Sequence, residues 1–304
     1  MTSRNNSLRG SLLLLLTAFI WGIAFVAQSV GMTYVGPLTF VAVRNLLSAA
    51  VILALLPFLD KVRKVPEKKG LAGHFKDKNL LVGGLLCGLF LAVASTFQQT
   101  GILYTSVGKA GFITALYILL VPIAGIFLGR RLRPLILAGV ALAVIGLYLL
   151  CMTDSLTLNI GDLLLLLCAL FFTFQIMLVD RYSPIVDGVR LSLIQFVVCA
   201  VFCGIPALIF EHPDLAAILA AWQPILYAGV LSGAVGYTLQ IIAQKNTDPV
   251  IASLLMSLES VFSVLAGWVL LGQRLSAREL AGCALMFTAI ILAQLPERKA
   301  KKEG

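Results

Sequence analysis

Glu259 and Arg44 are the two ionisable residues that lie well inside long apolar segments of this sequence. An ionised side chain at the centre of a bilayer costs about 2.5 to 3.5 kcal/mol on insertion scales, so it faces protein or water and marks a candidate site. Burial favours the neutral form of a carboxyl group, so Glu259 could take up and release a proton. Arg44 could hold a carboxylate or phosphate, because a guanidinium binds such groups in a bidentate geometry.

Each of these two residues also has a structural interpretation. Glu259 could hydrogen-bond to neighbouring helices for packing alone, as polar side chains do in lipid. Arg44 could extend toward the membrane surface, or pair with Glu259 as a structural lock. The sequence leaves both alternatives open, and it singles out Glu259 as the candidate for proton coupling.

Glutamine and aromatic side chains form polar stripes within the apolar segments. Tyr237, Gln240 and Gln244 share one helical face by their spacing, and Trp21 and Gln28 do so on the first helix. Such a stripe suits a cavity that holds solutes by hydrogen bonding and stacking, although interhelical glutamines also join helices in lipid, and Trp21 could simply fill a packing groove. The predicted substrate-binding or cavity residues are Trp21, Gln28, Arg44, Gln98, Gln99, Tyr117, Gln175, Tyr237, Gln240, Gln244 and Glu259.

The segments that carry these residues are membrane helices by composition. Of the 304 residues, 60% are hydrophobic and only 12% are charged, about half the charged fraction of soluble domains. A helix needs about 20 apolar residues to cross a bilayer. The apolar runs predict ten transmembrane helices, at residues 11–30, 38–58, 80–103, 110–129, 134–151, 163–179, 191–210, 223–244, 249–271 and 280–295.

The basic residues predict the orientation of these helices. With a cytoplasmic N-terminus, 19 of the 23 lysines and arginines fall in inner segments, three fall in outer segments and Arg44 lies within a span. Lysine and arginine favour cytoplasmic loops. We therefore expect a multi-pass protein of the cytoplasmic membrane with both termini in the cytoplasm.

The chain contains an internal repeat. Residues 129–139, GRRLRPLILAG, return 143 positions later as GQRLSARELAG, and GSLLLLLTA from Gly10 resembles GDLLLLLCA from Gly161. Two five-helix halves are predicted, residues 1–152 and residues 153–304, the second ending in a basic cytoplasmic tail. Because five is odd, the second half must enter the membrane from the opposite side, which is the inverted-repeat architecture of many secondary transporters.

The order of these motifs resembles the EamA family of the drug/metabolite transporter superfamily. The resemblance runs from AFIWGIAFV in the first span, through YTSVGKAGFI before the fourth, to the LGRRL and LGQRL loops. It implies ten helices in two inverted halves, a central cavity, cytoplasmic termini and small organic substrates, often exported. The chain departs from the family pattern at Arg130 and Gln273, where LGERL is common, and at Ser260, where proline commonly follows the glutamate. Without that proline, we expect a straighter ninth helix.

The resulting functional hypothesis is a secondary transporter that moves amino acids or related metabolites, by export and alternating access. Its partners would be a small-molecule substrate, the lipid bilayer and, as a candidate coupling ion, protons; the chain would be a monomer or a homodimer. No P-loop is present, and the sequence indicates no catalytic residue, metal, cofactor or nucleic-acid partner. The alternatives are an importer of a vitamin or nucleobase-like compound, a membrane-embedded lipid enzyme, and a scaffold subunit that transports nothing.

Overall fold

Helices make up all the regular structure in the described part of a computed structural model of this chain, which covers residues 2–63, 75–105, 107–130, 134–151, 159–271 and 276–294. We number the main helices in chain order: α1 (Thr2–Gly31), α2 (Pro37–Arg63), α3 (Lys78–Ile102), α4 (Val107–Phe127), α5 (Pro134–Cys151), α6 (Ile160–Tyr182), α7 (Gly188–Phe210), α8 (Trp222–Gln244), α9 (Pro249–Leu271) and α10 (Ala277–Gln294). A short helix, Leu215–Ala220, precedes α8.

Eight of these helices are long and apolar enough to cross a membrane. The exceptions are α5 and α10, whose apolar parts, Pro134–Leu149 and Leu280–Leu292, are shorter than the eight. The prediction of an all-helical, multi-pass membrane protein is confirmed. Arg131 and Arg274, in the two repeated loops, lie outside the described residues.

Acidic and amide side chains begin several of the helices. Asp77, Asp187 and Asp248 each accept a hydrogen bond from a backbone N–H in the first turn of the helix that follows. Asn159 and Asp162 form a reciprocal capping box at the start of α6. These contacts satisfy N–H groups that have no partner within the helix, which fixes where each helix starts.

Two of the helices are interrupted near their middles. In α4 the break separates Val107–Thr114 from Tyr117–Phe127, and in α9 it separates Pro249–Met256 from Glu259–Leu271. The ninth helix is therefore interrupted although no proline follows Glu259. Ser253 and Ser257 explain the break without proline, because their hydroxyls donate to the carbonyl groups of Val250 and Leu254 at 2.9 and 2.8 Å. Such bonds compete with the backbone ladder and bend helices.

The helices pack in pairs that recur between α1–α5 and α6–α10. α5 packs against α10 and α2 against α7, while α3 contacts α6 and α7, and α8 contacts α1 and α2. α1 also packs along the second part of α9, and α4 packs along α6. Helices α1, α2, α3, α4, α6, α8 and α9 surround the centre of the bundle, and α5 and α10 pair at its side.

Acidic residues hold α2 and α7 together at both ends of their contact. At one end Asp60 binds both terminal nitrogens of the buried Arg190, and Arg63 joins Asp60 and Asp187 at 2.8 and 2.7 Å. Burial raises the pKa of Asp187, but the hydrogen bond from the Arg190 backbone and the charge of Arg63 outweigh this and lower it overall. These four residues form what we call the Asp60 cluster.

At the other end of the α2–α7 contact, Glu211 caps the start of α2. Its two carboxylate oxygens accept hydrogen bonds from the backbone N–H groups of Leu38 and Thr39, at 2.9 and 2.8 Å. Asp60 and Glu211 are 151 positions apart, and so are Thr39 and Arg190. Corresponding positions of the two repeats therefore meet at the two ends of this helix pair.

Gly22 allows α1 to approach the second part of α9 closely. A Cβ atom at Gly22 would lie 2.4 Å from the Cβ of Phe262 and 2.8 Å from the backbone oxygen of Glu259. We predict that Gly22→Ala lowers the free energy of unfolding by about 1 to 3 kcal/mol, because backbone must move. Thermal stability of the purified protein in detergent measures the effect.

Gly204→Ala is the matched control for this substitution. Gly204 also lies within a membrane helix, but a Cβ atom there would meet only the Cβ of Ala42, at an ordinary 3.7 Å. Because alanine favours helices over glycine, we expect this variant to keep or slightly raise stability. Equal stability of the two variants would show that the α1–α9 contact tolerates a side chain.

Candidate functional site

A central cavity lies between the helices of both halves of the chain. Its volume is about 30 Å³, measured as the space open to the centre of a water-sized sphere. That is room for about two water molecules, so this conformation encloses little free space. The lining residues are Trp21, Ala24, Phe25, Gln28, Arg44, Gln98, Thr114, Tyr117, Phe172, Gln175, Ile176, Ser232, Tyr237, Gln240 and Glu259.

Nine of the eleven predicted cavity residues line this space: Trp21, Gln28, Arg44, Gln98, Tyr117, Gln175, Tyr237, Gln240 and Glu259. The structure places Gln99 and Gln244 outside the lining. Their amides donate to backbone carbonyls of neighbouring helices instead, Gln99 to Gln28 and Gln244 to Ile176, at 3.2 and 3.3 Å. These two glutamines therefore join helices, as polar side chains do in lipid.

The other lining residues were not predicted, because the prediction relied on ionisable, amide and large aromatic side chains with a polar group. Phe25, Phe172 and Ile176 are apolar, and nothing in their type distinguishes them from residues that face lipid. Thr114 and Ser232 are small and polar, and such residues are common wherever helices pack closely. The register of the internal repeat is a signal that could have found several of them.

The lining residues occur in pairs related by the repeat. Phe172, Gln175 and Ile176 each follow a lining residue of α1 by 151 positions, these being Trp21, Ala24 and Phe25. Gln240 follows Gln98 by 142 positions, and Glu259 follows Tyr117 by the same interval. The breaks in α4 and α9 are also 142 positions apart. Corresponding parts of the two halves therefore face each other across the cavity.

The two interrupted helices bring Glu259 and Tyr117 into contact. Each of these residues begins the second part of its helix, and the hydroxyl of Tyr117 donates to Oε1 of Glu259 at 3.0 Å. Both side chains are buried, with 3% of Tyr117 and 4% of Glu259 exposed. Ser260 donates to the backbone oxygen of Gly111 at 3.0 Å, which joins the two helices a second time. The carboxyl of Glu259 is thus positioned at the cavity wall.

The side chain of Arg44 lies on the cavity wall, and its Nε has no hydrogen-bonding partner among the described residues. It is 5% exposed, its Nε is sealed from solvent, and its guanidinium makes no hydrogen bond or salt bridge with the described residues. The guanidinium lies 5.9 Å from the ring centre of Phe40. No salt bridge joins Arg44 to Glu259 in the described structure, so the structural-lock interpretation finds no support there.

Aromatic rings form one side of the cavity. The rings of Trp21 and Tyr237 lie 4.6 Å apart, and Tyr237 meets Phe196 edge-on at 5.9 Å. The Trp21 indole N–H donates to the backbone oxygen of Ser232 at 3.1 Å. That oxygen belongs to a π-helical stretch of α8, Tyr227–Tyr237, and such stretches are frequent at functional sites. The cavity thus combines an aromatic surface with polar groups.

Sequence comparisons relate the whole chain to membrane transporters. The model of the EamA-like transporter family matches residues 8–152 and again residues 159–295. A protein of Archaeoglobus fulgidus described as an uncharacterized transporter is 31% identical over 93% of this chain and 84% of its own length. A second such transporter of the same organism is 25% identical over 92% of this chain and 97% of its own.

One solved crystal structure has the same fold. It superposes with a TM-score of 0.75, and the match covers 94% of this chain and 96% of the other. Sequence identity between the two is 20%, so the likeness concerns the fold.

Proposed function

Because the chain belongs to the EamA-like transporter family, we propose that it is a secondary transporter that exports small organic metabolites, amino acids or related solutes, by alternating access. Of all the observations, the central cavity lined by corresponding residues of both halves supports this proposal most directly. Two similar halves of opposite orientation can open such a cavity to either membrane face in turn.

The repeat relations support ten membrane helices in two inverted halves, divided near residue 152. Lining residues and helix breaks recur at intervals of 142 and 151 positions, and the packing pairs of one half have counterparts in the other. In this arrangement α5 and α10 complete the two halves as the shortest spans. The excess of basic residues in inner segments supports a cytoplasmic membrane location with both termini in the cytoplasm.

The α2–α7 contact is held by polar contacts at both of its ends, and these two contacts are the candidate closures at the two membrane faces. In the proposed orientation the Asp60 cluster lies at the cytoplasmic face, and Glu211 caps α2 at the outer face. With both contacts formed and about 30 Å³ of space inside, this conformation is closed. Opening toward one side would separate α2 from α7 at that end while the other contact holds.

Glu259 is the proposed proton carrier of this cycle. Its carboxyl lies at the break of α9, beside the cavity, and is held by Tyr117. A carboxyl group that changes its protonation there alters the charge of the cavity without any change in the helices. Proton uptake and release by Glu259 would then be coupled to substrate movement.

Counterflow in proteoliposomes tests the proposal directly, because it detects substrate exchange without a driving force. Vesicles loaded with a pool of unlabelled metabolites should accumulate labelled members of that pool, and empty vesicles should not. A proton gradient applied in each direction then tests export against import. Failure to exchange any solute from a broad pool would favour a scaffold role.

A further inference from the structure

We infer that the substrate carries an anionic carboxylate, that Arg44 binds it, and that solutes with only a positive charge are rejected. This inference rests on the proposed transport function and names the class of compound that the cavity accepts. It starts from one observation: Arg44 is 5% exposed on the cavity wall, its buried Nε has no hydrogen-bonding partner, and its guanidinium forms no ion pair with the described residues.

A buried guanidinium of this kind is costly in the empty protein. A guanidinium is a fixed positive charge, and a buried charge without a partner is costly. Other cationic residues inside the described structure are paired, since Arg190 binds Asp60 and Lys109 binds Asp162. Arg44 forms no such pair with the described residues, and its guanidinium lies 5.9 Å from the ring centre of Phe40. An incoming carboxylate would supply the missing acceptors in a bidentate contact.

The second half of the chain lacks a matching charge. By the repeat interval of 151 positions, the counterpart of Arg44 on α7 is Gln195, which is buried and neutral. Among the described residues that line the cavity, Arg44 is the one basic residue, and it lies on one side. A single positive charge in this position would orient a substrate by its anionic group.

Other groups of the cavity lining fit the rest of such a solute. In the described structure, Nε2 of Gln175 is a buried donor without a partner, while Oε1 of Gln28 and Oε1 of Gln240 are buried acceptors without partners. The Trp21–Tyr237 pair supplies an apolar surface. A compound with a carboxylate, further polar groups and an apolar part would satisfy these groups together.

Matched compounds separate the charge requirement from the rest of the solute. We propose counterflow competition with three sets, each consisting of an amino acid, the acid that lacks its amino group, and the amine that lacks its carboxylate. Leucine, 4-methylpentanoate and isoamylamine form one set. The other two sets are built in the same way from alanine and from phenylalanine. We expect the amino acid and the acid to compete and the amine to fail.

Substitutions at Arg44 assign the requirement to this residue. Arg44→Gln, which copies Gln195, should weaken competition by the carboxylates about 30-fold or more, the usual loss when one partner of a buried charge pair is removed. In Arg44→Lys, competition by the carboxylates should be weaker than in the wild type and stronger than in Arg44→Gln, because lysine keeps the charge without the bidentate geometry. Arg181→Gln, at an exposed arginine, is the control and should match the wild type.

The outcomes distinguish failure of the inference from failure of the proposed function. Competition by the amines equal to that of the acids, or unchanged carboxylate competition in Arg44→Gln, would overturn the anion site while leaving transport intact. If the protein exchanges nothing, the transport proposal fails. The anion site is then judged by heat stability, where the acids should stabilise the wild type and not Arg44→Gln. Equal stabilisation of both proteins would overturn it.

Discussion

Glu259→Gln is expected to abolish the pH dependence of transport while the protein still folds and inserts. A single proton that controls a step changes its rate by up to about tenfold per pH unit, so the wild-type profile should be steep over part of the range. Glutamine keeps the shape and an oxygen acceptor for Tyr117 at 3.0 Å but carries no titrating proton. Initial rates in proteoliposomes across a series of pH values measure the difference.

Asp214→Asn is the control for that variant. Asp214 is an exposed carboxyl away from the cavity, and its role is to cap the short helix Leu215–Ala220. We expect its pH profile to follow that of the wild type, even if its stability is lower. An unchanged pH profile in Glu259→Gln, together with full activity, would remove the proton role and leave Glu259 as a packing residue.

Asp60→Asn is expected to lower the free energy of unfolding by about 3 kcal/mol, because Arg190 loses both of its bonds to a carboxylate. Arg190 is 1% exposed; an asparagine oxygen can still accept one of its hydrogen bonds, but the only carboxylate left beside Arg190 among the described residues is Asp187, at 3.4 Å. Because the pKa of Asp187 lies below its usual range, its charge persists into moderately acidic solution. The stabilising contribution of the Asp187 carboxylate is fully present above its pKa in the unfolded chain, and it is lost as the pH falls through its pKa in the folded protein.

The double variant Asp60→Asn, Arg190→Gln tests whether this loss comes from the uncompensated charge. Replacing both partners removes the buried cation, so we expect the double variant to be more stable than Asp60→Asn alone. Lys61→Gln, at an exposed neighbour on the same helix, should change little. If the double variant were less stable than Asp60→Asn, the uncompensated charge of Arg190 would not be the cause of the lost stability.

The positions of the helices could be predicted because the membrane imposes a simple rule. About 20 apolar residues are needed to cross it, and every predicted run contains a helix in the structure. The break in α9 could not be predicted in the same way. Serine hydroxyls can either bend a helix or join it to a neighbour, and the choice at Ser257 depends on contacts that only the fold supplies.

The polar part of the cavity could be predicted because polar side chains are rare and costly in lipid. That reasoning could not separate Gln240, which lines the cavity, from Gln244, which lies one turn away and donates to Ile176. A single turn decides which neighbour each amide meets. The apolar residue Phe172 could be found only by its repeat relation to Trp21, since its type alone carries no information about its position.

The central claim is that two halves of opposite orientation enclose one cavity, and labelling of two introduced cysteines tests it most directly. In a variant without the six native cysteines, one cysteine replaces Arg130, after α4, and another replaces Ser276, before α10. Both positions are exposed. A membrane-impermeant maleimide should label the cysteine at position 276 in intact cells and the one at position 130 only after permeabilisation. Labelling of both positions from the same side would contradict the inverted arrangement and the alternating access inferred from it.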